Sequence, residues 1–74
     1  MDVFVCMEGV NYEGERLVGV YSYLPLAKKH KWYSGCDWQN IEHYRVSKSG
    51  VGKFVEYHEY NRNKKLWERK KVTS

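Results

Sequence analysis

Apolar side chains come in short runs separated by turn residues. Residues 2–8 place Val3, Phe4 and Val5 in succession, so apolar groups fall on both faces of a strand. That is the pattern of a strand covered on both sides. Residues 9–14 carry Asn11, Glu13 and Gly14, which is turn chemistry. Residues 16–21 are rich in Val and Tyr and predict a second strand, antiparallel to the first. Gly19 interrupts that strand and marks either a bulge or a close approach of a helix to the backbone.

A helix is expected next. Ser22 can cap it by accepting a hydrogen bond from the first turn. Pro25 falls in that turn, where its missing N–H costs nothing. Leu24, Ala27 and Lys31 share one stripe, and Gly35 is a stop signal, so the expected length is about ten residues. Residues 37–40 read as a loop. Residues 41–47 predict a third strand whose apolar positions Ile41, Tyr44 and Val46 break a period of two, which implies a bulge or a late start. Residues 47–52 form a two-glycine turn, residues 53–60 a fourth strand and residues 61–65 another turn. Residues 66–72 suit an edge strand guarded by lysines, a frayed tail or a short helix. The order is ββαββ with room for one more strand. It predicts a single α+β domain over residues 1–74, an antiparallel sheet of four to five strands with one short helix on a face.

Charge changes this picture at one end. Residues 1–25 set Arg16 against Asp2, Glu8, Glu13 and Glu15, whereas the segment 61–74 sets six cations against Glu68. A basic end suggests an anionic partner surface. Aromatics make up 16% of the chain, too many for a disordered segment and suited to a small core or a binding face. No apolar run approaches the ~20 residues that cross a bilayer, and no secretory signal opens the chain. The expectation is a cytoplasmic protein with Cys6 and Cys36 as free thiols.

The turn Asn11-Tyr12-Glu13-Gly14, followed by Gly19-Val20-Tyr21-Ser22 running straight into a helix, resembles a loose group of small phage and bacterial proteins. In these a hairpin leads into a helix rich in Lys, Glu and Ala, and a strand such as Ile41-Glu42-His43-Tyr44 follows. The likeness spans residues 3–46. Pro25, His30 and the long basic C-terminal part depart from it. It implies a phage-type accessory protein with no established shared activity.

Candidate chemistry is sparse. Cys6, His30, Cys36, His43 and His58 are zinc-type ligands, yet no ligand spacing joins them, so no metal or other cofactor is expected. Cys36 with His30 lacks the third group of a nucleophilic triad, and Asp37 opposes a thiolate. Glu13 with Glu15, and Glu56 with Glu59, read as solvated carboxylates. No catalytic residue is assigned and the chain is not expected to be an enzyme. The strongest signal is basic and aromatic interleaving. Lys28, Lys29, Lys31, Trp32, Tyr33 and Trp38 form one cluster. Tyr60, Arg62, Lys64, Lys65, Trp67, Arg69, Lys70 and Lys71 form a second. Trp, Tyr and Arg are typical interface anchors, so the leading expectation is a binder that inhibits or modulates a host protein of transcription, replication or defence. The same residues also suit phosphates and stacked bases, so a nucleic-acid-binding module is the alternative. A homodimer through an exposed strand edge is a further option.

Overall fold

The computed structural model describes residues 1–11, 14–32 and 35–70. The elements are β1 (Asp2–Val10), β2 (Gly14–Tyr21), α1 (Leu24–Lys28), β3 (Trp38–Val46), β4 (Gly52–Asn61) and β5 (Leu66–Lys70). The strands form one sheet in the order β2-β1-β3-β4-β5, every neighbouring pair antiparallel. Strand accounts for 62% of the described residues and helix for 8%, which corrects the expected α+β class: the fold is nearly all-β.

The helix accounts for most of that correction. It runs for 5 residues, not about ten, and its N-cap is Tyr23 in extended conformation with no side-chain capping bond. Ser22 therefore does not cap it. Pro25 does occupy the first turn, and no acidic residue complements the dipole there. Without a cap, so short a helix depends on packing, and Ala27 supplies it by burying completely against the sheet. The chain leaves the helix at Lys29. His30 then shares a hydrogen bond with the Tyr21 hydroxyl at 2.7 Å and meets the edge of Trp32 at 5.0 Å.

β3 starts at Trp38, so residues 38–40 are strand and not the expected loop. The β3–β4 ladder shifts register between His43 and Tyr44, but the extra residue is Val55 on β4. The β1–β2 ladder shifts at Cys6/Met7, which leaves Val18 as the extra residue beside Gly19. The bulge therefore falls beside Gly19, and the close approach to it comes from the Tyr21 and His30 rings, at 3.0 and 3.1 Å from where its side chain would begin, and not from the helix itself. β5 settles the open choice at the C-terminal end as an edge strand; residues 71 and 72 lie outside the described residues. In the turn before it, the Asn61 side-chain oxygen accepts from the Asn63 and Lys64 amides at 3.0 Å each, and Lys65 takes φ 57°.

Strand alternation sorts the side chains onto two faces. One carries Phe4, Cys6, Ile41 and His58, and α1 packs on it. Phe4, Cys6, Ala27 and Ile41 make the buried core, flanked by Val18, Tyr21, Leu24, Trp32 and Trp67. The other carries Val3, Val5 and Met7 of β1, Leu17 and Val20 of β2, Trp38, Glu42 and Tyr44 of β3, and Phe54 and Tyr57 of β4. Trp38 faces Gly9 across the β1–β3 ladder, and its indole fills the space a Gly9 side chain would need. Gly9→Ala is therefore expected to lower unfolding free energy by about 1–3 kcal/mol in urea titration. Most of that cost should vanish in a Trp38→Val background, because the clash is with the ring.

Candidate functional site

On the helix-covered face, part of each basic-aromatic cluster meets. Trp32 and Trp67 pack with ring centroids 5.6 Å apart, and Tyr60 contacts Trp67 at 5.3 Å. Lys28, Trp32, Gln39, Tyr60 and Trp67 line a cleft of about 310 Å³. Both tryptophans are half-buried against the core, so they serve packing as well as lining the cleft. The indole N–H of Trp32 is buried without a hydrogen-bond partner among the described residues. Lys29 and Lys31 are exposed and do not line this cleft.

The remaining predicted residues disperse. Trp38 lies on the opposite face. Arg62 reaches back from the β4–β5 turn, donating to the Cys36 carbonyl and lying 3.4 Å from its sulfur. Lys64 and Lys70 each stand 3.8 Å from Glu68, and Arg69 stands 3.7 Å from Glu56. Lys65 is exposed in its turn. Tyr33 and Lys71 lie outside the described residues. The basic segment is thus partly neutralised by its own carboxylates, although exposed pairs of this kind contribute little stability.

Titratable groups form three local sets. Asp2 accepts from His43 at 3.0 Å and Arg45 at 3.2 Å; these bonds, His43 first, hold its carboxyl below the usual range. His58 is buried, with Glu56 at 3.2 Å; burial pushes its pKa below 6.5, and the attraction of Glu56 only partly opposes this. Glu8, also buried, takes Arg16 Nε at 2.9 Å and Nη2 at 2.7 Å on one oxygen. A cavity of about 370 Å³ adjoins that pair, with Cys36 in its wall. Burial pushes the Cys6 thiol up to about 11, which keeps it protonated and unreactive at neutral pH. Cys36 is buried too, and its sulfur lies 3.4 Å from the side-chain nitrogen of Gln39. Among the described residues, no three His, Cys, Asp or Glu side chains are grouped to hold a metal. No helix among them is long and apolar enough to cross a membrane.

The opposite face of the sheet is the feature the sequence reading did not assign. No described element packs on it. Leu17 is 58% exposed and Val20 55%. Beside them stand the half-buried Val3, Val5, Met7 and Tyr57, and Tyr44 packs on Phe54 at 5.5 Å. The signal was present in residues 2–8, whose apolar positions occupy both faces. Glu56 and His58 were also missed as an interior pair; their spacing of two puts them on one face of β4.

The chain matches no protein-family model, no curated protein and no solved structure. The fold and its surfaces define a small antiparallel sheet domain with one face covered.

His58 makes stability depend on pH. Its folded pKa lies below 6.5, so the unfolded chain binds the proton more readily. The contribution is complete above 6.5 and is lost as pH falls from there toward the folded value. Urea unfolding followed from about pH 8 to about pH 5 should show stability falling with acid, with a slope of at most about 1.4 kcal/mol per pH unit from this group. His58→Gln should flatten that window. A slope unchanged in the variant would contradict the assignment.

Proposed function

We propose that this protein acts by non-catalytic binding, and that a partner protein sits on the uncovered face of the sheet. One observation carries the reading. β1 is apolar on both sides, β2, β3 and β4 add further apolar and aromatic groups, and α1 packs on only one face. Strands about 4.8 Å apart and about 3.3 Å long per residue give this face roughly 600 Å². The apolar groups occupy only part of that area, around β1 to β4, with carboxylates among them. Contiguous apolar patches of a few hundred Å² on monomers are often functional, and a standard interface buries about 800 Å² per partner. Tyr44, Phe54, Tyr57 and Met7 are of the residue types enriched in interface cores. The resemblance to small phage proteins would make the partner a host protein of transcription, replication or defence, inhibited or modulated by occupation of its surface.

A second reading has its own observation. Lys28 lines the cleft of Trp32, Tyr60 and Trp67, and Lys29 and Lys31 are exposed near it in sequence; cations beside aromatic rings suit single-stranded nucleic acid. It requires a gel shift that weakens steeply with salt.

Affinity capture from nuclease-treated bacterial lysate separates the two. The wild-type chain should retain a protein at micromolar concentration, and Leu17→Lys and Val20→Lys should lose it while unfolding at the wild-type urea midpoint. Retention of nothing, or of the same protein by both variants, rules the sheet-face reading out.

A further inference from the structure

The charge on the two faces differs in sign, and this bears on what the uncovered face would accept. Alternation along β3, β4 and β5 places Glu42, Glu59 and Glu68 on it, with Lys70 as the cation of the same strand positions. Glu42 stands opposite Val5 and Tyr57, and its carboxylate keeps the neighbouring Tyr44 hydroxyl from ionising easily, after burial the next cause of that upward shift. Glu59 stands directly opposite Glu68 across the β4–β5 ladder, a like-charged pair. Glu68 is relieved by Lys64 and Lys70 at 3.8 Å and by Asn61 at 3.3 Å. Among the described residues, neither Glu42 nor Glu59 forms an ion pair with a cation. The helix-covered face carries Arg16, Arg45, Lys53 and Arg69 along its strands, with Lys28 on the helix above it, against Asp2, Glu8 and Glu56, so cations predominate there.

We propose that the uncovered sheet face docks a cationic amphipathic segment of a partner protein, with one Lys or Arg set against Glu42 and another against Glu59 and Glu68. The inference rests on the sheet-face reading above and adds the chemistry of the occupant. Docking would withdraw Glu42 from water in the midst of Val5, Tyr44 and Tyr57. A carboxylate buried there without a cation would oppose binding. The occupant must therefore be apolar enough to match Leu17, Val20, Val3, Val5 and Met7, and basic where it crosses β3 and β4. Diagonal positions on neighbouring strands lie about 7–8 Å apart, so Glu42 and Glu59 can engage basic residues one helical turn apart on a crossing segment. A second copy of this chain is a poor occupant. An isologous contact sets one patch against itself, and the strands of this patch bring Glu15, Glu42, Glu59 and Glu68 from each copy with Lys70 as their cation, so the two copies would repel.

The test is selection of peptides of about sixteen residues, some four helical turns, from a random library on the immobilised full chain. Selected sequences should pair Lys or Arg with apolar residues at helical or alternating spacing. Their affinity should fall about thirtyfold or more with Glu42→Gln and vanish with Leu17→Lys. Glu42→Gln should leave the urea midpoint unchanged or raise it, because the carboxylate has no cation to lose. Uncharged or acidic peptides that still lose binding with Leu17→Lys would overturn the charge inference and leave the sheet-face reading standing. Peptides indifferent to Leu17→Lys, no selected peptides, or a concentration-dependent dimer abolished by Leu17→Lys would overturn the proposal itself.

Discussion

The contact between Cys6 and Ala27 governs how this molecule is built. Both side chains are small and fully buried, and the Cys6 thiol reaches the Ala27 carbonyl at 3.7 Å. Small residues let α1 approach the sheet closely as the chain crosses from β2 over β1 to β3. A helix of 5 residues is only about 7–8 Å long, against a sheet about 20 Å across. It covers β1 and its neighbourhood and no more. Trp32, Tyr60 and Trp67 extend the cover toward β5, which explains why two tryptophans from distant parts of the chain meet. The second face receives no equivalent. β1 pairs on both edges and sits under the helix, so its apolar residues on the far side have nowhere within the described chain to go.

The carboxylates on the covered face are engaged locally. Glu8 is held by Arg16, Asp2 by His43 and Arg45, and Glu56 lies between His58 and Arg69. Such partners satisfy the hydrogen-bonding needs of groups that the aromatic cover partly removes from water. Cys6 is kept as a thiol by burial. At the cleft edge this side presents Lys28 beside the aromatic rings of Trp32, Tyr60 and Trp67.

The strands were legible because short β-formers alternate with turn residues, and the turns fell at the glycines and at Asn61. The helix was not, because its stop is tertiary. Propensity and the stripe of Leu24, Ala27 and Lys31 extend it past Lys29, but the bond between His30 and Tyr21 and the packing of Trp32 draw the chain away. Reading residues 37–40 as loop had a larger consequence for the binding surface. Once Trp38 belongs to β3, its parity puts it with Glu42 and Tyr44, on the face opposite Trp32 and Trp67. A sequence cluster that looks continuous from Lys28 to Trp38 is therefore split between two sides of one sheet. The run Val3-Phe4-Val5 did show apolar groups on both faces of β1, but among the described residues only one of those faces is covered, so the expected double cover is corrected.

An open apolar sheet face is an aggregation hazard unless something opposes contact between copies. Here the opposition is built into the same surface. Glu42 lies near its centre, and Glu59 and Glu68 face one another at its side, at the cost of cross-strand repulsion. These carboxylates would be easier to accommodate on the solvated ends of the sheet if fold stability were all that mattered. Their placement makes self-association unfavourable, since like charges would be brought together as the apolar groups met. It makes association with a basic amphipathic surface favourable for the same reason with the sign reversed. On the docking proposed above, one arrangement of charge on an apolar sheet would both oppose contact between copies and favour a cationic occupant.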